Sequence, residues 1–309
     1  ALVIVFIFGI NVAGGMSAVV ENAQSLPGYL TMHTTYDPVS GTEQPYPIIS
    51  IISMIAWGLG YFGMPHILLR FMAIEDEEKL KLSRRVATGW VVISLAVAVL
   101  IGIIGLAMTA AGELIPLEGS ASETIIVKIA DLMSRHGVLP ALLAGTILAG
   151  ILASTMSTAD SQLLAASSSV SSDLLGDFLK KKTGKKGAMF ADRITLLIIA
   201  LVAVFLARDP NSSVFNIVSF AWAGFGAVFG PVVLFALFWK RSNWQGALAG
   251  MISGGAMVFI WKYLVRPLGG AWDIYELLPA FLVSCAAIIV VSLLTKAPSK
   301  EIVEEFESV

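Results

Sequence analysis

Eight separate stretches of this chain are apolar enough, and of the right length, to cross a lipid bilayer as helices. They are residues 1–19, 47–73, 86–111, 138–165, 189–207, 214–239, 243–265 and 275–295. A crossing needs about 20 mostly apolar residues. Unpaired backbone amides are too costly in hydrocarbon, and no alternating strand pattern suggests a barrel, so each stretch is expected to be helical. Hydrophobic residues make up 57% of the chain and charged residues 14%, far from the roughly 25% charged residues of soluble domains. Net charge is −2, which leaves no basic face for nucleic acid. The single cysteine, Cys285, provides neither a disulfide framework nor a thiolate metal cluster. The expected class is all-α: a polytopic membrane helix bundle of about eight spans.

Turn signals fall between the spans. They are Pro38, Pro45 and Pro47 before the second, Asp209-Pro210-Asn211 before the sixth, Ser242-Asn243 before the seventh, and Pro267-Leu268-Gly269-Gly270 before the eighth. With alternate connections on opposite sides, fifteen of the twenty lysines and arginines share one side and five the other. The positive-inside rule puts the rich side, with both chain ends and the Lys180–Lys186 cluster, in the cytoplasm. Residue 1 begins inside an apolar run, without the positive opening of a signal peptide, and reads as a cut part-way through a helix. Residues 120–136 carry apolar side chains at 125, 126, 129, 132 and 133, a helical spacing too short to cross. An amphipathic helix lying on the outer face, as a lid, is expected there.

Two spans concentrate polar or helix-weakening residues at depths where they are costly. In the fourth, Ser154, Ser157, Thr158 and Ser161 fall within about 100° of helical arc, and Asp160 sits about 60° from Ser157. Such a stripe offers hydroxyl oxygens beside a carboxylate, which suits a weakly held alkali cation. Ionisable side chains at mid-membrane commonly mark a pathway. The alternative is that the hydroxyls bond back to carbonyls one turn earlier or join neighbouring helices.

The second span contains Trp57-Gly-Leu-Gly60-Tyr61-Phe-Gly63-Met64-Pro65-His66. Three glycines and a proline weaken the helix, and interrupted helices in transporters expose backbone groups to solutes. Trp57, Tyr61 and Pro65 are spaced by four, so on a regular helix they share a face fit for a small zwitterion with an apolar ring or chain. The alternative is an interfacial aromatic belt with packing glycines. Gly224, Gly226, Gly230 and Pro231 form a candidate hinge. Gly246, Gly250 and Gly254 form a small-residue face for helix packing. No nucleophile with a base, phosphate-cradling loop or metal-ligand cluster is present, so an enzyme is not expected.

Three stretches resemble the solute:sodium symporters, most closely the bacterial sodium/proline branch: WGLGYFGMPHILLRFMA (57–73), ILASTMSTADSQLL (151–164) and VSFAWAGFGAVFGPVVLFALFWKRSNWQGALAGMISG (218–254). The resemblance implies a LeuT-like core of two inverted five-helix repeats. Residues 1–239 would then match core helices 5 to 10, and 240–309 peripheral helices and a cytoplasmic tail. It implies a sodium site from the Ser157 and Thr158 hydroxyls and the Ser154 carbonyl, completed by a helix from earlier in the family's sequence. A second sodium site in some relatives would match Ser157, Asp160 and Ser161, with a carboxylate from core helix 5 that the first span lacks. Trp57, Tyr61 and Pro65 match the wall of a proline pocket, and Met64 stands where a glutamine is frequent. The implied activity is sodium-coupled symport of a small solute, foremost L-proline, across the bacterial cytoplasmic membrane. The co-transported ion is Na⁺, the partners are the solute and the bilayer, and the oligomeric state is open. Pantothenate, a sugar or sialic acid are the alternative cargoes, and the input module of a sensor histidine kinase is the alternative role.

Overall fold

The computed structural model describes residues 2–170, 185–209 and 212–308. The lysine run 180–186 lies outside them, apart from the backbone of its last two residues, as do Pro210 and Asn211. The helices are α1 (Leu2–Val12), α2 (Met16–Ser25), α3 (Ile48–Ala56), α4 (Pro65–Met72), α5 (Lys79–Ala110), α6 (Ile125–Ser134), α7 (Val138–Ser168), α8 (Lys185–Leu206), α9 (Val214–Phe238), α10 (Trp244–Ile260), α11 (Leu277–Leu294) and α12 (Lys300–Ser308). A 3₁₀ segment, Trp57–Gly63, joins α3 to α4, and β1 (Thr34–Asp37) pairs antiparallel with β2 (Thr42–Pro45). Among the described residues, six helical segments are long and apolar enough to span a membrane, and two bent pairs bring the number of spans to as many as eight.

The chain divides into two compact units, one from residues 1–26 with 76–214, the other from residues 27–75 with 215–309. In the first, Ile101, Ile104 and Met108 of α5 form a core with Val5 of α1, Ile129 and Met133 of α6, and Ile147 of α7. Helix α6 forms within the expected 120–136 stretch, and its apolar face packs inward: Ile129 is fully buried and Met133 is 1% exposed. Just before it, the Glu123 carboxylate accepts from the Ser213 hydroxyl at 2.6 Å and the Val214 N–H at 3.0 Å, which satisfies a donor at the start of α9.

The first span is not one straight helix. Helices α1 and α2 meet at 80°, because Gly14 and Gly15 take φ of 91° and 99°, values that only glycine adopts without cost. Apolar periodicity does not register this break, since the residues on either side are still apolar.

In the second unit, Gly246, Gly250 and Gly254 let α10 sink onto α11. The Ser284 hydroxyl donates to the Gly250 carbonyl at 2.9 Å, and a side-chain carbon on Gly246 would stand 2.9 Å from the Ile288 carbonyl oxygen. The packing role expected of these glycines is therefore observed. Asn243 caps α10, accepting from the Gly246 N–H at 2.8 Å, and its amide donates to the Thr295 hydroxyl at 2.8 Å. Beyond Ile260 the helix passes into a π turn, Trp261–Val265, and then a 3₁₀ turn, Arg266–Leu268. Helix α9 runs through Pro231 without interruption, and within the 224–231 run Gly226 and Gly230 pack closely against Gly60 and Phe281.

The β-hairpin was not legible as a pair of strands, because four-residue strands leave little alternation to read. Its turn is held by Asp37, whose carboxylate accepts from the Ser40 hydroxyl at 2.7 Å and the Val39 N–H at 3.0 Å. These bonds, the Ser40 hydroxyl first, hold the Asp37 carboxyl below its ordinary value of 3.8. A folded pKa below the unfolded one adds stability that is complete above the unfolded value and fades as pH falls through the folded one. Amide exchange across 34–45, corrected for intrinsic rates, should therefore stay constant from neutrality down to about pH 4 and accelerate below it. Asp37→Ala should accelerate it at neutral pH. Equal protection in the variant and parent at neutral pH would remove the carboxylate from the turn.

Candidate functional site

The segment between α3 and α4 is built to be irregular. Gly58, Gly60 and Gly63 weaken helix propensity. Pro65 disfavours helical backbone at the residue before it, and Met64 accordingly takes φ −83°, ψ 112°. The result is a 3₁₀ turn followed by a 53° bend, the interruption expected at this position. A 3₁₀ helix advances about 120° per residue, so a spacing of four separates side chains by about 120° instead of aligning them. Trp57, Tyr61 and Pro65 therefore do not share a helical face, as a regular helix would have required.

What unites Trp57 and Tyr61 is a third ring. Trp222 of α9 stacks on Trp57 at 5.5 Å and 17°, and meets Tyr61 edge-on at 4.8 Å and 83°. Its indole N–H donates to the Trp57 carbonyl at 3.0 Å. Phe215 and Tyr275 also lie nearly parallel to Trp57, at 5.5 Å and 5.9 Å. The approach needs glycine: a side-chain carbon on Gly60 would run into the Trp222 indole, and one on Gly226 would lie 2.7 Å from the Gly60 Cα. Tyr61 remains 51% exposed, and its hydroxyl has no hydrogen-bond partner among the described residues. Pro65 is the first residue of α4, partly buried just after the bend. Sequence reasoning passed over Phe215 and Tyr275 as site neighbours. Trp222, at the head of the Gly224–Pro231 run, was the available signal for α9.

On α7, residues 151–162 are all exposed, including Ser154, Ser157, Thr158, Asp160 and Ser161. The Thr158 hydroxyl donates to the Ser154 carbonyl at 3.2 Å, the Ser161 hydroxyl to the Ser157 carbonyl at 3.0 Å, and the Thr155 hydroxyl to the Ile151 carbonyl at 2.9 Å. The back-bonding that the sequence left open is thus present at three positions. It uses each hydroxyl's one hydrogen and leaves its oxygen lone pairs available. The Ser157 hydroxyl and the Asp160 carboxylate have no partner among the described residues. There, no group of three or more His, Cys, Asp or Glu is placed to hold a metal ion, so a cation on this helix would rest on hydroxyl and carbonyl oxygens with at most one carboxylate.

Long apolar helices, a broken span lined with aromatic rings and an exposed oxygen row define a multi-pass helical membrane protein. Residues 1–254 match the model of the sodium:solute symporter family, and the chain belongs to that family. It is 42% identical to the sodium/proline symporter of Haemophilus influenzae over 84% of this chain and 51% of that protein. It is 42% identical to the osmoregulated proline transporter OpuE of Bacillus subtilis over 82% of this chain and 49% of that one. The sodium/proline symporter of Escherichia coli is 41% identical over 84% and 50%. The chain thus spans about half the length of the curated relatives it matches.

Proposed function

We propose that this chain acts within a sodium-coupled symporter that carries a small solute, L-proline foremost, into a bacterium across its cytoplasmic membrane, with the carboxyl end in the cytoplasm. Residues 1–239 serve as core helices and 240–309 as peripheral ones. The observation that carries the reading is the stacked Trp57–Trp222 pair with Tyr61 edge-on and half exposed, set at a bent, glycine-thinned break in a span. Two apolar faces and a phenol suit the pyrrolidine ring and polar groups of proline, and Pro65 sets the bend that presents them. The relatives' names, sodium/proline symporter and proline transporter, support the same cargo.

Sodium is the co-transported substrate. It rests on the Ser154 carbonyl and the Ser157 and Thr158 hydroxyls; Asp160 and Ser161 serve a second site. Neutral oxygens hold an alkali cation weakly enough to release it in each cycle. One charge moving inward through 100 mV releases about 2.3 kcal/mol, enough for a solute gradient of roughly fiftyfold. No covalent step is involved.

The test uses the complete transporter in sealed proteoliposomes. An inward sodium gradient should drive uptake of labelled proline, and excess proline should compete where pantothenate, sugars and sialic acid do not. Trp57→Ala and Tyr61→Ala should each raise the proline KM about tenfold and leave the sodium requirement unchanged. Competition by another cargo but not proline would reassign the solute, and an unchanged KM in both variants would remove these rings from the pocket.

A further inference from the structure

The residue that follows the π and 3₁₀ turns between α10 and α11 reaches back to the break in the second span. Tyr275 lies flat against Trp57, ring centroids 5.9 Å apart and 17° from parallel. It is 7% exposed and tied at both ends. Its backbone N–H donates to the Ser53 hydroxyl on α3 at 3.0 Å, and its phenol donates to the Ser219 carbonyl on α9 at 2.6 Å. Ser53 lies one turn before Trp57, and Ser219 lies one turn after Phe215 and one before Trp222. Tyr275 thus ties α3, one turn ahead of Trp57, to α9, which carries Phe215 and Trp222, and adds a further near-parallel ring beside Trp57.

Its own position is set by charge. The neighbouring Glu276 side chain is 1% exposed and meets Arg266 Nη1 at 2.9 Å and Lys262 Nζ at 3.7 Å. Arg266 also holds Asp273 at 2.8 Å, and Lys262 lies over the Phe220 ring at 4.0 Å. The Trp261 indole donates to the Ile274 carbonyl at 3.1 Å. A carboxylate this buried is tolerated only with its cations in place, so these ion pairs hold the α10–α11 connection in the arrangement that sets Tyr275 against Trp57.

We infer that Tyr275, held by the Glu276–Arg266–Lys262 cluster, is a positioning residue for the solute site, acting through Trp57. This rests on the proposed role of Trp57 in solute binding. It makes the connection between two helices assigned to the periphery part of the scaffold of the pocket.

The test is a double-mutant cycle in the complete transporter, read as proline KM, which does not depend on how much protein reaches the membrane. Tyr275→Phe keeps the ring and removes the bond to Ser219; it should raise KM about fivefold with no change in the sodium concentration for half-maximal uptake. Ser53→Ala, which removes the acceptor at the other end, should raise KM about twofold. In a Trp57→Ala background, adding Tyr275→Phe should cause no further change, because the residue acts only through that indole. Independent multiplication of the two effects overturns the inference, as does an unchanged KM in both Tyr275→Phe and Ser53→Ala while Trp57→Ala raises it. An unchanged KM in Trp57→Ala itself instead overturns the underlying assignment of the pocket.

Discussion

Gly63→Ala is expected to leave almost no folded transporter in the membrane, whereas Gly58→Ala, five residues earlier, should be nearly neutral. Both glycines belong to the same 3₁₀ segment, so intrinsic propensity does not separate them. Their surroundings do. A side-chain carbon on Gly58 meets nothing within 4 Å. On Gly63 it runs into the Phe225 carbonyl oxygen and stands 2.9 Å from both the Gly226 Cα and the Gly230 nitrogen. All three are backbone atoms and cannot rotate away. Relief requires α9 to retreat, which breaks the Trp222–Trp57 bond and opens the ring stack. Overpacking that flexible side chains can relieve costs about 1–3 kcal/mol, and a collision with main chain lies at or beyond the top of that range. Thermal stability in detergent, read by size-exclusion chromatography after heating, checks this. Equal stability of the two variants would mean that the segment and α9 do not meet in this way.

The second large effect concerns sodium. Thr158→Ala in the complete transporter should raise the sodium concentration for half-maximal uptake about tenfold, the equivalent of about 1.4 kcal/mol of lost ion binding. Ser157→Ala should act in the same direction, and Thr158→Ser should restore most of the affinity. Thr155→Ala supplies the comparison. Thr155 bonds back to Ile151 as Thr158 does to Ser154, but it points about 60° outside the Ser154–Thr158 arc. If back-bonding were the only role of these hydroxyls, the two alanine variants would behave alike. If the oxygens hold the ion, only Thr158→Ala changes the sodium requirement. Unchanged sodium dependence in both Thr158→Ala and Ser157→Ala would defeat the site.

The regular spans were legible because hydrophobic length and helical pairing are local properties in a bilayer. The expected 214–239 appears as Val214–Phe238, and the expected 275–295 as Leu277–Leu294. The interruption at 57–65 was legible as well, since glycine and proline act on their own backbone. The bend at Gly14–Gly15 was not, because two positive φ values between apolar neighbours leave the hydropathy unchanged. Within the candidate site, residue types were readable while their directions were not: a spacing of four places side chains together only on an α-helix, and the 3₁₀ turn separates Trp57 from Tyr61 until Trp222 joins them. Tyr275 carried no signal at all. Its contact with Trp57 spans more than two hundred residues and depends on a buried carboxylate, Glu276, that lies beyond the last of the three resembling stretches.

The tight seam between α10 and α11 has a mechanical consequence. With three glycines against the opposite helix and a serine hydroxyl bonded across the gap, the pair can neither slide nor roll without tearing that seam. Asn243 fastens one end to Thr295, and Arg266 with Glu276 fastens the other. A shift of one helix against the other would break bonds at both ends and along the seam, so the two are expected to move together, with Tyr275 carried at the tip of the pair.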